Sequence, residues 1–388
     1  MQSAHRAWAE IDLAAFRRNL ARARQRAGAA EIWPVLKANA YGHGAVAIAR
    51  VCAEEGVQRI GVGDSSEALQ LRYSGVKLPL LVLGTIIDAE IPDLLDHGVE
   101  VGVHSESRVN SLGQMAADRG TRLGVHLKVD TGMGRLGVRP EAVLRIAKAI
   151  EAQPALDFRG LMTHFASAQG AHSSFTDDQQ ALFLAAADEV REALGNLPAL
   201  HCANSAALFS GLAPLGDAVR PGISLYGVLP RDVCRHAGLE PVLSLHTQMV
   251  FLKDIPAGTT IGYDGRWTSH RPTRLATLPI GYNDGIPYGL GIGGRGQVLV
   301  RGQRCPIVGA VSMDYCTIDV THVEGADIGD VVTFIGRSGN EVLSAEDVAR
   351  AADTIAYEIT CRLGARVHRV YRDVENDAPQ SVPGVAAS

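Results

Sequence analysis

Apolar runs recur along the chain as far as about Gly238, each followed by a stretch whose apolar positions repeat every three to four residues. The runs fall at 32–36, 59–63, 78–84, 99–103, 122–129, 158–163, 199–202 and 218–225. Several, such as LPLLVLG and GVHLKVD, are nearly continuous in apolar residues, which suits parallel strands covered on both faces. The intervening segments LAAFRRNLARARQRAG, SEALQLRYSG, SESRVNSLGQMAADRG, PEAVLRIAKAIEAQ and DDQQALFLAAADEVREAL read as amphipathic helices. Ser, Thr or Asp often precedes them and Gly often follows, as helix caps prefer. The alternation predicts an α/β fold: an N-terminal (β/α)8, TIM-like barrel over 12–238. A doubly wound open sheet is the competitor, but no G-x-G-x-x-G follows the first strand.

After Gly238 the texture changes. Short β-branched segments, among them LSLHTQMVFLKDI, TRLATLPIGY and GQVLVRGQRCPIVGAVSM, are split by Gly, Pro, Asn and Asp. They predict a mostly antiparallel β domain over 239–374, interrupted by one short helix, SAEDVARAA. The tail, 375–388, has the composition of a disordered segment.

Composition narrows the function. Of the 388 residues 46% are hydrophobic, enough for a sizeable core, and the net charge of −5 comes without a basic tract. Nucleic acid is thereby disfavoured as the main partner. The N-terminal stretch has no secretory h-region and no segment is apolar for the length of a membrane span, so a cytoplasmic protein is expected. The six cysteines are scattered, which reads as reduced thiols, and no metal-ligand spacing stands out.

The working end of such a barrel is the C-terminal end of its strands. Lys37 follows the first strand, Arg135 the fifth, His164 the sixth, Asn204 and Ser205 the seventh, and Arg220, Gly222 and Ile223 accompany the eighth. Taken singly, each has a bland explanation: a solvated lysine, a structural histidine, an arginine paired with an acid. Together they place a lysine, a histidine, two arginines, a serine and glycine-rich backbone on one rim. Barrels of this kind often bind phosphate beside their last two strands. A lysine near a phosphate can condense with an aldehyde, and pyridoxal 5′-phosphate (PLP) carries both groups.

At these positions the chain resembles the PLP-dependent alanine racemase family. VLKANAYGHG is similar to that family's cofactor-lysine motif. LKVDTGMGRLG, MTHFASA, NSAA, RPGISLYG, LPIGYNDG and VSMDY follow in the family's order and spacing, from about Trp8 to Tyr371. The resemblance implies that residues 1–11 form a short strand joining the β domain, and that a head-to-tail homodimer shares two active sites. It implies that Lys37 holds PLP, with Tyr41, His164, Asn204, Ser205, Gly222, Ile223 and Tyr357 around it and Arg220 facing the pyridine nitrogen. Arg135 would bind the alanine carboxylate, and Lys128 matches a position carbamylated in some relatives. Tyr263, Met313 and Asp314 would come from the partner subunit, with Tyr282 narrowing the entrance.

The implied reaction is racemisation with two bases, Lys37 taking the α-proton of D-alanine and Tyr263 that of L-alanine. The product would supply D-alanine for peptidoglycan. Arginine is only a donor, so Arg220 would leave the ring nitrogen unprotonated and the carbanion short-lived. His164 is expected to orient Arg220. Asp264 stands after Tyr263, where family members often carry Gly. The alternatives are a racemase of broader specificity, a PLP-binding homeostasis protein without the β domain, and a decarboxylase, which would want an acid in place of Arg220.

Overall fold

The computed structural model describes residues 5–166, 174–212, 216–229 and 235–373. The expected disordered tail and Cys234 lie outside them. Eight parallel strands are laid side by side: β2 (Glu31–Ile32), β3 (Ile60–Val62), β4 (Leu80–Val82), β5 (Glu100–Val103), β6 (Leu123–Lys128), β7 (Leu156–Met162), β8 (Ala199–Asn204) and β9 (Ala218–Arg220). The order runs β2-β9-β8-β7-β6-β5-β4-β3, and a parallel bridge between Val35 and Gly61 joins the two ends into a TIM-like barrel.

Local chemistry sets the helices between them. Helix α1 (Leu13–Ala27) begins where the Asp12 carboxylate accepts the Ala15 N–H at 2.8 Å and ends at Gly28, whose φ is +63°. The Asp64 carboxylate and the Ser105 hydroxyl cap the helices Ser65–Tyr73 and Glu106–Asp118 in the same way. Helix Val143–Glu151 buries Val143, Ile146, Ala147 and Ile150, one stripe at helical spacing.

The strands carry two different faces. On β6, Leu123, Val125 and Leu127 join the main apolar core, whereas the alternate positions His126 and Lys128 are buried polar groups on the opposite face. The apolar runs are therefore cut by chemistry on the inner side. The last run is also shorter than 218–225: β9 stops at Arg220, because Pro221 has no N–H for a ladder, and a 3-10 turn follows at Ile223–Tyr226.

The second half is the mostly antiparallel β domain. Strand β1 (Ala7–Asp12) lies antiparallel to β10 (Leu243–Gln248) and parallel to β20 (His368–Arg372). The sheet continues from β10 to β18 (Val331–Ser338), β15 (Gln297–Val300) and β16 (Gln303–Pro306). A smaller sheet joins Phe251–Ile255, Thr273–Leu278 and Cys316–Asp319. Two short helices interrupt this half rather than one: Ala345–Ala351, and Ala356–Cys361, which carries Tyr357. The second is too short and too mixed in polarity to give a periodic signal.

Candidate active site

The site begins with an unusual turn. The N–H of Val35 bonds to the Pro221 carbonyl at 2.9 Å and that of Leu36 to the Gly61 carbonyl at 2.8 Å, which fixes Lys37 at the barrel mouth. Beyond it, Ala38, Asn39, Ala40 and Tyr41 have φ of 53°, 52°, 55° and 53°: one turn of left-handed helix built from L-residues. Each such residue costs roughly 1–2 kcal/mol, so the surroundings must hold it. The turn has its own bonds, Ala40 N–H to Leu36 O at 2.7 Å and Gly42 N–H to Ala38 O at 2.9 Å. The Glu67 carboxylate accepts the N–H of Ala38 and, at 2.7 Å, that of Gly63. Asn39 accepts the Ala45 N–H at 2.8 Å. Gly42, with φ +87°, packs so closely that a β-carbon there would lie 2.0 Å from the Thr360 carbonyl oxygen. The lysine turn is thus seated on the helix that bears Tyr357.

A cavity of about 550 Å3 opens at the C-terminal ends of the strands. Lys37, Gly63, Gly84, Lys128, His164, Asn204, Ser205, Arg220, Gly222 and Ile223 line it from the barrel, and Tyr357 from the β domain. Arg135, Met133 and Leu136 come from the loop after β6. Four of the lining side chains are cations (Lys37, Lys128, Arg135 and Arg220) and none is a carboxylate. The chain carries a net charge of −5, so this excess is local.

The protonation states follow from crowding of like charge. Lys37 is open to solvent through the mouth, yet protein atoms surround it below the rim; this burial, then Arg135, lowers its pKa. Lys128 is buried, its ammonium 3.4 Å from the Leu83 carbonyl, and burial with Arg220 and Arg135 brings it to about 8. Burial and the surrounding cations push His164 to about 3, so it is neutral. Burial raises the Tyr41 and Tyr357 hydroxyls, which remain protonated donors.

One end of the cavity is a cradle. The Ser205 hydroxyl accepts the N–H groups of Gly222 at 2.9 Å and Ser224 at 3.2 Å, tying the start of helix Ser205–Phe209 to the loop after β9. A β-carbon on Gly222 would sit 2.3 Å from the Tyr41 hydroxyl. The Asn204 side chain caps the same helix through the Ala207 N–H at 3.0 Å and donates to the Phe165 carbonyl at 3.2 Å.

Arg220 is buried deep in the cavity. One terminal nitrogen donates to the His201 carbonyl and to His201 Nδ1, the latter at 2.7 Å. The other donates to the carbonyls of Thr163 at 2.6 Å and Cys202 at 3.3 Å. Among the described residues Nε has no acceptor. The expectation that His164 orients Arg220 is corrected here: no hydrogen bond joins them, and His201 holds that place, because β8 points it inward beside β9.

Tyr263, Met313, Asp314 and Tyr282 are not among the residues lining this cavity. Tyr263 is 68% exposed on a turn of the β domain, Met313 and Tyr282 are exposed, and Asp314 pairs with Arg366 at 2.6 Å. Asp264 has φ of 57°, a conformation that Gly accepts freely and Asp better than most. His201 and Glu67 escape a sequence reading. Glu67 had a signal: with Asp64 three residues earlier it forms a capping-box pattern, whose carboxylate here reaches past the helix start to the lysine turn.

Residues 11–230 match the sequence model of the family described as "Alanine racemase, N-terminal domain", and 242–371 that of "Alanine racemase, C-terminal domain". Among curated relatives, an alanine racemase of Halothermothrix orenii is 40% identical over 368 residues, covering 94% of this chain and 97% of its own. One from Desulforamulus reducens is 41% identical, covering 94% and 98%. Among solved structures, alanine racemase of Clostridium difficile 630 superposes with a TM-score of 0.90 at 31% identity, covering 98% of each chain. That of Bacillus anthracis with bound L-Ala-P gives 0.89 at 34% identity, covering 97% of each.

Proposed function

The chain belongs to the alanine racemase family, PLP-dependent isomerases, and we propose that it interconverts L- and D-alanine with PLP held in the barrel cavity. The observation that carries this reading is the cavity of four cations without a carboxylate, with a lysine of depressed pKa at its mouth. Such a lining suits a ligand with several negative charges, and PLP with an amino acid brings a phosphate and a carboxylate. The residues fit the cofactor in detail. Gly222 leaves space at the cradle that a side chain would fill, and Ser205, Tyr41 and Tyr357 offer hydroxyls there. When bound, PLP supplies the electron sink that makes the α-proton of an amino acid acidic.

The protein's part is to hold, orient and move protons. Lys37 Nζ would anchor the cofactor and, once released, exchange the α-proton on one face. Its pKa, lowered by burial and by Arg135, raises the share of free amine at any given pH. Arg135 would orient the substrate carboxylate. Arg220, a donor that stays charged with a pKa of about 10, would keep the ring nitrogen unprotonated through Nε, the part of its guanidinium that bonds to none of the described residues. Lys128, buried with a pKa near 8, has the neutral-amine fraction that reaction with carbon dioxide requires.

Tyr263 would serve the other face from a partner subunit, with Met313 and Asp314 beside it and Tyr282 at the entrance. A head-to-tail homodimer accounts for a catalytic phenol that lies outside its own chain's cavity. D-alanine made this way would serve peptidoglycan synthesis.

The test is solvent deuterium uptake at Cα of each alanine enantiomer. Lys37→Ala is expected to lose exchange chiefly from D-alanine and Tyr263→Phe chiefly from L-alanine. Equal losses for both enantiomers in both variants would refute the division of labour. Turnover on serine and lysine beside alanine measures substrate breadth. A homeostasis protein is disfavoured by the match of 242–371, and a decarboxylase by Arg220.

A further inference from the structure

The interior of the barrel holds a chain of polar groups running away from the cavity. His201 Nδ1 takes a hydrogen bond from Arg220 at 2.7 Å. His201 Nε2 meets His126 Nδ1 at 2.9 Å, and His126 Nε2 meets the Glu100 carboxylate at 2.8 Å. Glu100 is held in turn by Arg59, at 2.9 Å and 2.8 Å to its two oxygens. Both imidazoles are fully buried, and Glu100 and Arg59 nearly so. Arg220 ends β9 at the cavity, whereas Glu100 begins β5 and Arg59 precedes β3. The series therefore spans the barrel from its working end to its base.

Chemistry at the two ends fixes the direction of every bond. A guanidinium can only donate, so His201 Nδ1 must accept and carry no proton. A neutral His201 then bears its proton on Nε2 and donates to His126 Nδ1. His126 likewise bears its proton on Nε2 and donates to Glu100. An ionised carboxylate can only accept. Donor-only at one end and acceptor-only at the other demand the same order, so no member is frustrated.

The packing is shaped for it. The Trp33 ring lies 4.6 Å from His201 and 5.9 Å from His126, centroid to centroid, and Arg59 stacks on it at 4.3 Å. Between the imidazoles stands Gly160, where a β-carbon would come within 2.1 Å of His126 Nδ1 and 2.7 Å of His201 Nε2. Its φ is not positive, so space rather than backbone freedom calls for glycine there.

We propose that Glu100 is a positioning residue for Arg220: through His126 and His201 it fixes the imidazole tautomers so that an acceptor always faces the guanidinium. Its consequence for turnover rests on the role of Arg220 given above, whereas the tautomer order does not. Glutamine at 100 is expected to turn its amide nitrogen to His126, because the other orientation sets that nitrogen against the Arg59 nitrogen that now donates to Glu100, donor to donor. Both rings then reverse, and an N–H is set against Arg220.

The experiment is histidine-selective 15N NMR of the holoenzyme, with His126→Asn and His201→Asn assigning the signals. Both rings are expected to be neutral, protonated at Nε2 and bare at Nδ1. A proton on Nδ1 of either ring, or a doubly protonated ring, overturns the proposal. In Glu100→Gln that signature is expected to change, with kcat falling about tenfold or more and KM for alanine moving far less. Gly160→Ala, which keeps Glu100 but wedges the imidazoles apart, is expected to do the same. Unchanged kcat in Glu100→Gln, or a fallen kcat with both rings unaltered, also overturns it. The wild-type spectrum decides the matter if Glu100→Gln does not fold, and it is read without turnover, so failure of the relay and failure of the assigned reaction are told apart.

Discussion

The barrel mouth and the Tyr263 turn carry the two proposed acid–base groups and are built in opposite ways. Around Lys37 the chain is crowded, charged and strained: four cations share one cavity, and four consecutive residues hold a left-handed turn. Around Tyr263 the side chain stands 68% exposed, outside the cavity, beside the left-handed Asp264. The contrast teaches that the first half of the site is finished within one chain, whereas the second, in the function proposed, needs another copy to complete it. A two-fold interface would set each exposed phenol beside the other chain's lysine and make two equal sites.

The sharpest way to break that comparison is complementation. Lys37→Ala and Tyr263→Phe homodimers are each expected to be nearly inactive. After mixing and exchange of subunits, about half the dimers are hybrids with one intact site, so activity should return to about a quarter of wild type. No recovery, with exchange shown by mass spectrometry, would place both groups of a site on one chain.

Removing Glu67 strikes the barrel half alone. Glu67→Ala leaves the amides of Ala38 and Gly63 without their acceptor, at about 1–3 kcal/mol, and loosens the turn after Lys37. Lower stability to urea and weaker PLP retention are expected, with no change in dimer dissociation.

The charge of the mouth gives that half a pH signature. Folded Lys128 releases its proton near 8 and unfolded lysine near 10.4, so between them the unfolded chain binds more protons. Stability of the cofactor-free protein is therefore expected to rise over that window as pH increases. Lys128→Met should flatten the rise, as read by urea unfolding at each pH.

The smallest effect belongs to the other half. Asp264→Gly removes a left-handed L-residue but also loosens the unfolded chain. The two effects oppose each other, and stability should move by no more than about 1 kcal/mol. A large loss of stability would show that Asp264 and its 3.3 Å pair with Arg266 brace the turn.

Much of this was legible in the sequence because period and chemistry agreed. Eight apolar runs gave eight strands, and the residues at their C-terminal ends met in one cavity. What stayed hidden depends on contacts distant in sequence. His201 sits in an apolar strand and matters only because β8 lies beside β9. Glu67 acts across to another loop's amides. The left-handed turn is hidden as well: Ala38 and Ala40 favour ordinary helix, and the other hand is held by the turn's own bonds, by Asn39 and by the Glu67 carboxylate from another helix.

Strand β1 has a consequence of its own. Of the described strands it is the first to be synthesised, yet its neighbours are β10 and β20, one from the second half of the chain and the other the last strand described. Throughout translation of the barrel it carries bare ladder edges on both sides, the situation that invites pairing with a stranger. The sheet around β1 is in this sense closed by the last strand described, and a ribosome stalled before residue 368 would release a chain whose strand β1 is open along one side.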